Sequence, residues 1–326
     1  MNRLSLRLGS LAALAFAGIF TLPLSAQQDV PAAPQQTTDS AAAEPSFPKP
    51  DPKDFTAESP TKDQVFNFLQ ASWGYDPNRL FQVQRITKTV VPGVASVDIL
   101  VAEKGNKQVS QLQFFAMPDG RHIITAGEIL PFGEHPYVEN RALLLKRADG
   151  PSKGPASKEL ELVEFADFQC PHCKDAQPTM DKLAADFPTA HIVYESFPLI
   201  KIHSQAFRSA AYGVCVDKQA GDPAFFKYAA AVYDGQAGLA TDEGATLTLN
   251  SAVTAAGLEP EKIEACSKSA ETKAAVDAEL KLADDLGINQ TPSLAVNGRI
   301  IPLGGIPYDT LKQIVSFHIK NDPPVK

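Results

Sequence analysis

The stretch Val163-Glu164-Phe165-Ala166-Asp167-Phe168-Gln169-Cys170-Pro171-His172-Cys173 decides how the rest of the chain is read. Leu160 to Ala166 has the continuous apolar character of a buried strand and Cys170 to Phe187 a helical pattern, so two thiols fall where a strand gives way to a helix. At that position free backbone N–H groups and the positive end of the helix dipole favour a thiolate on Cys170. Pro171 fits the first turn, where a missing N–H costs nothing. Cys173, one turn on, is placed to close a ring with Cys170 while shielded from incoming thiols. His172 adds a donor and a charge beside the Cys170 sulfur, a role favoured over that of a solvent-facing loop histidine because the neighbouring thiol gives it something to stabilise. His191 to Phe197 reads as a second strand, which completes a βαβ unit.

At the N-terminus, Arg3 and Arg7 precede an apolar run from Leu8 to Leu22 that ends on the small residues Ser25 and Ala26. That is the pattern of an export signal over residues 1–26, and the run is shorter than the ~20 residues a spanning helix needs. With no cysteine before Cys170, a lipid-modified cysteine behind the signal is excluded. The mature chain is expected to be soluble and periplasmic or otherwise extracytoplasmic. Residues 27–58, dominated by Pro, Ala, Gln, Ser and Asp, read as a flexible tether.

Order is expected to begin near Thr61, where Thr61 and Gln64 have capping-box spacing and Val65, Phe68, Leu69 and Trp73 share a helical face. From Leu80 to Leu130 the period shortens to that of strands, with turns at Pro92-Gly93, Gly105-Asn106 and Asp119-Gly120. Residues 59–133 are therefore a small α+β domain without cysteine. A connecting helix over Pro136 to Arg147, with Val138, Ala142 and Leu145 on one stripe, leads to a breaker-rich boundary at residues 149–155, so 134–157 is assigned as linker helix and loop. After the βαβ unit come helical segments Ser204–Val216, Asp222–Tyr233, Asn250–Ala256 and Pro260–Leu286, an insertion of about 204–286 by these starts and stops. A hairpin through Asn297-Gly298 and a closing helix Tyr308–Ile319 end the chain.

With 326 residues, 44% of them hydrophobic and 21% charged, the chain is neither one small module nor wholly disordered. The net charge of −8 becomes more negative once the signal leaves with its two arginines, which argues against binding nucleic acid. Four cysteines allow three pairings. Neither Cys215 nor Cys266 has a cysteine or histidine a few residues away, so zinc lacks a ligand set, and neither metal nor cofactor is expected. His191 and His203 have no local partner and read as structural or surface residues.

From about residue 158 the sequence resembles the DsbA family of thiol:disulfide oxidoreductases. The resemblance rests on Phe168-x-Cys170-Pro171-His172-Cys173, on Tyr194-Glu195-Ser196-Phe197-Pro198-Leu199 followed by His203, and on Thr291-Pro292 ahead of Asn297-Gly298. It implies an α/β thioredoxin fold with a helical insertion over 158–326. It also implies that the Pro292 bond is cis, that Thr291 and Pro292 lie against the cysteines where a substrate peptide pairs, and that Glu164 is a buried acid beneath them. On alternation alone Glu164 reaches either the core or solvent. The segments around Cys215 and Cys266 are similar to helices that carry a second, structural disulfide in some relatives. Phe115 to Gly127 resembles part of the dimerisation domain of the isomerases DsbC and DsbG, which implies a homodimer through about residues 61–130. The partners so implied are unfolded or misfolded exported proteins with cysteines and a membrane redox partner that resets the thiols. The Pro171-His172 dipeptide matches the oxidase; isomerase or reductase activity with chaperone-like client binding by a dimer is the alternative.

Overall fold

The computed structural model describes residues 45–324; residues 1–26, read above as an export signal, and the first part of the expected tether lie outside the described residues. The chain from residue 45 opens with a segment that is ordered earlier than Thr61. Asp51 caps a 3-10 turn at Pro52–Asp54, Phe55 bridges to Ile86, and Phe55 and Ala57 pack on the core, so the tether expected to reach residue 58 ends sooner. The Phe55 ring is what anchors it. Helix α1 (Lys62–Trp73) then starts on the expected reciprocal Thr61–Gln64 capping box.

Strands β1 (Arg79–Lys88), β2 (Ala95–Glu103), β3 (Val109–Ala116), β4 (His122–Thr125) and β5 (Glu128–Pro131) form an antiparallel meander in sequence order. Val65, Phe68 and Leu69 of α1 bury against Val83, Val97, Ile99 and Phe114 of one face. At about 25 cal/mol per Å² of apolar surface, that face is what holds so small a domain together.

Helix α2 (Val138–Arg147) has the place of a linker in the sequence, but it is part of the next domain's core. Its buried stripe is Arg141, Leu144 and Ala148, rotated from the expected Val138–Ala142–Leu145, because Leu144 and Ala148 pack on Val163, Phe165 and Val193. The Arg141 guanidinium donates to the carbonyls of Glu159 and Pro323, at 2.8 and 2.7 Å. The turn Asn297-Gly298 seats on this helix. Asn140 donates to the Gly298 carbonyl at 3.1 Å, and a Cβ at Gly298 would collide with the Tyr137 carbonyl and the Arg141 amide. The breaker-rich loop behind α2 also contributes a two-residue strand, β6 (Ser152–Lys153).

The second sheet has the order β10-β9-β7-β8-β6, from β7 (Glu161–Ala166), β8 (His191–Ser196), β9 (Ser293–Val296) and β10 (Arg299–Pro302). Central β7 runs parallel to β8 and antiparallel to β9. Both faces are covered, which is why β7 reads as a continuous apolar run. Leu162 faces α3 (Pro171–Asp186) and α9 (Tyr308–Asn321), whereas Val163 and Phe165 face α2 and α8 (Ala270–Asp285). The insertion comprises α4 (Ala206–Ala220), α5 (Asp222–Asp234), α6 (Asp242–Ala255), α7 (Pro260–Ser267) and α8. Helix α6 starts well before Asn250 because Thr241 caps it, and the single helix expected over 260–286 is two, since Ser269 caps a new start. The whole is an α/β thioredoxin fold with a helical insertion, preceded by a small α+β domain.

Candidate active site

Cys170 is the N-cap of α3, with Pro171 in the first turn. The residue two before it, Phe168, is wholly buried and stacks on Tyr194 at 5.3 Å between centroids, with Tyr233 at the same distance. This aromatic cluster locks the strand-to-helix turn onto the insertion. Three glutamines tie down its polar groups. Gln236 donates to the carbonyls of Phe168 (2.8 Å) and Cys170 (2.9 Å), turning those dipoles toward the insertion. Gln169 donates to the Leu239 carbonyl at 3.0 Å and accepts from the Gln205 N–H at 2.7 Å.

Both cysteines are thiols, Cys170 4% exposed and Cys173 fully buried, so only one can be reached from outside. The Cys173 thiol beside Cys170 is the largest of the influences that lower its pKa to about 5, outweighing the opposing effect of burial. The Thr291 side chain and the backbone N–H groups of Cys173 and His172 add to it. The Thr291 hydroxyl is buried without any other partner, and the Cys170 thiol lies 3.8 Å from the Thr291 carbonyl. The Thr291-Pro292 bond is cis, as the resemblance implies. Burial drives Cys173 the other way, well above an ordinary thiol, although the Asp167 N–H reaches its sulfur at 3.3 Å. The pair is thus split into a thiolate at the mouth and a protonated thiol beneath it.

Glu164 points into the core, 4% exposed, on the strand between β8 and β9. Burial raises its carboxyl to about 7, and Gln177, which donates to it at 2.9 Å, partly offsets that rise. The same amide donates to the Cys173 carbonyl at 3.1 Å, so one side chain links the acid to the buried thiol's turn. Gln177 lies one turn after Cys173, a spacing that helix periodicity would have shown. His172 is exposed, and its ring borders a groove of about 700 Å³ shared with Cys170, Thr291, Ile200 and Ile202. Cys215 and Cys266, 51 positions apart, are joined as a disulfide inside the insertion and take no part in this groove.

His203, without a partner nearby in sequence, has one across the fold. The buried Asp167 carboxylate accepts from the His203 ring at 2.7 Å, from the Leu199 N–H at 2.8 Å and, through its other oxygen, from the Gln169 N–H at 2.7 Å. An acid at the end of an apolar strand was the available signal. His191, by contrast, opens β8 away from the cysteines, where burial lowers its pKa. Among the described residues, no group of three or more His, Cys, Asp or Glu side chains is arranged to hold a metal ion.

A dithiol at the N-terminus of a helix, over a buried acid and beside a cis-proline loop on a mixed sheet, defines a thioredoxin-fold redox site. A family model described as thioredoxin matches residues 149–316, just over half of the chain, and the chain belongs to that family. Among curated proteins it is similar to a segment of the Na(+)/H(+) antiporter NhaA 3 of Salinispora tropica, 34% identical over 58 residues, which is 18% of this chain and 9% of that one. The chain spans between 8% and 23% of the length of the curated relatives it matches by such segments. Among solved structures it is similar to a periplasmic thioredoxin-like protein from Salmonella enterica serovar Typhimurium, with 21% identity, 56% of this chain and 97% of that chain covered, and a TM-score of 0.47. It is also similar to oxidised BdbD from Bacillus subtilis, with 20% identity, 52% and 93% covered, and a TM-score of 0.46.

Proposed function

We propose that the chain is an extracytoplasmic thiol:disulfide oxidoreductase of the DsbA type, which introduces or exchanges disulfides in exported proteins through Cys170 and Cys173. The observation that carries this reading is the split of the two thiols: Cys170 lowered to about 5 at the groove, Cys173 raised beneath it. A thiol of low pKa is a good leaving group. In the oxidised protein a client thiolate attacks the Cys170 sulfur and the electron pair of the broken bond passes to Cys173, which takes a proton. A second client thiolate then displaces Cys170, and the client leaves with a disulfide. Thr291 and Pro292 flank the client, and Glu164 handles the Cys173 proton at a pKa suited to neutral pH. A membrane redox partner then takes two electrons from the dithiol and restores the disulfide. Among the described residues no helix is long and apolar enough to cross a membrane.

The test is turnover of a dithiol peptide by the oxidised chain. Cyclisation of the peptide with matched appearance of the Cys170–Cys173 dithiol is expected; equal rates in the Cys170→Ser variant would sink the reading. The isomerase alternative draws on the N-terminal domain, whose outer strand β5 leaves Ile129 68% exposed. An unpaired edge with apolar side chains invites a second chain, and a two-fold pairing closes it. Light scattering of the full chain is expected to give twice the monomer mass and Ile129→Lys a monomer; a monomeric parent would remove the dimer. A truncation at residue 157 is unsuitable for that test, because it removes Arg141 from the carbonyls it holds.

A further inference from the structure

The groove that admits a client to Cys170 is also bordered by the half-buried ring of His203. Its Nδ1 is committed to the Asp167 carboxylate, 2.7 Å away, and that carboxylate is itself fixed by two backbone N–H groups. A neutral imidazole that donates Nδ1–H to a carboxylate carries its lone pair on Nε2. Among the described residues the His203 Nε2 makes no hydrogen bond and is not among the buried unsatisfied atoms, and the residue lines the groove. The titratable groups facing it are Asp167 from the end of β7, Cys170 and His172 from the start of α3, and Lys201 from its own loop; the β9 approach contributes only Asn289, Gln290 and Thr291.

We propose that His203, held by Asp167, is the general base that deprotonates the incoming client thiol. The inference rests on the thiol:disulfide reading of the same site. The client S–H gives its proton to Nε2, and its sulfur forms a bond to the Cys170 sulfur. The Cys170–Cys173 bond breaks, and the electron pair stays on Cys173, which is protonated. The client is oxidised by two electrons per disulfide, and the protein disulfide is reduced by the same two. Of the two protons, one remains on Cys173 and one leaves to solvent from His203.

The size of the effect is bounded by the client. A cysteine thiol of ordinary acidity is about 1% ionised at pH 6.5, so a base can accelerate its attack by at most about 100-fold there and hardly at all above pH 8.5. A thiol that is already ionised gains nothing. The experiment compares oxidised parent and His203→Gln in two reactions: with a cysteine peptide, and with 5-thio-2-nitrobenzoate, an aryl thiolate ionised over the whole range, followed by loss of its colour. The expected result is that His203→Gln slows the peptide about tenfold at pH 6.5. The gap should close as the pH is raised, and the aryl thiolate should react at the parent rate. Asp167→Asn should show the same selectivity. Equal slowing of both thiols at every pH would make the ring a strut for the groove wall and overturn the proposal, as would no slowing of either. A parent that reacts with neither thiol would instead overturn the oxidoreductase reading itself.

Discussion

Replacing Glu164 with Gln removes a charge that the fold holds at a cost and keeps a carbonyl oxygen for the Gln177 amide. Burial raises this carboxyl from 4.5 to about 7. At about 1.4 kcal/mol for each tenfold change in proton affinity, the ionised form costs the folded protein about 3 kcal/mol. Because the folded value is the higher one, the stability linked to this group is fully present below pH 4.5 and is lost as the pH rises through about 7. A carboxamide at this position does not titrate, so Glu164→Gln should match its parent in acid and exceed it by up to about 3 kcal/mol above pH 8. Urea unfolding with both active-site thiols reduced, at pH 4.5 and pH 8.5, measures the difference directly. A gap that does not change with pH, or a variant less stable than its parent at pH 8.5, would refute the buried, proton-holding acid. The same variant should slow formation of the mixed disulfide at neutral pH, since Cys173 then has no nearby proton donor as its bond to Cys170 breaks.

Thiolate absorbance of the reduced protein should titrate with a midpoint of about 5, with Cys173 silent through neutrality; one step at the ordinary thiol value would remove the case for Cys170 as leaving group. Opening the Cys215–Cys266 bridge by a double Ser substitution should lower the unfolding free energy by about 4 kcal/mol on chain-entropy grounds, read by denaturant midpoint, and leave the Cys170 titration unmoved. Gly298→Ala, at a φ of +92° against α2, should destabilise by about 2 kcal/mol or more; an unchanged midpoint would show that α2 does not seat on that turn.

Much of the fold was legible because its signals are local. The capping box at Thr61 and Gln64 and the strand, Cys170-Pro171 and helix sequence each fix a backbone direction within a few residues. What the sequence hid is set by distant partners. Arg141 looks like a surface residue of a linker helix until the carbonyls of Glu159 and Pro323 meet it. His203 looks isolated because Asp167 lies 36 positions away, and Gln236 reaches the Cys170 turn across 66. Even Glu164 was ambiguous on strand alternation, since a side chain on a central strand has no solvent on either face, a property of the assembled sheet rather than of β7 alone.

The most direct test of the Cys170–Cys173 site is its reduction potential, obtained by equilibrating the protein with glutathione buffers and mapping which cysteines are oxidised at each ratio. A thiolate stabilised as Cys170 is favours the reduced form, so the pair should exchange as a unit toward the oxidising end of the family's range, near the value of about −120 mV that such thiolate stabilisation confers. A potential near that of thioredoxin, about −270 mV, would contradict it, as would any bridge from Cys170 or Cys173 to Cys215 or Cys266.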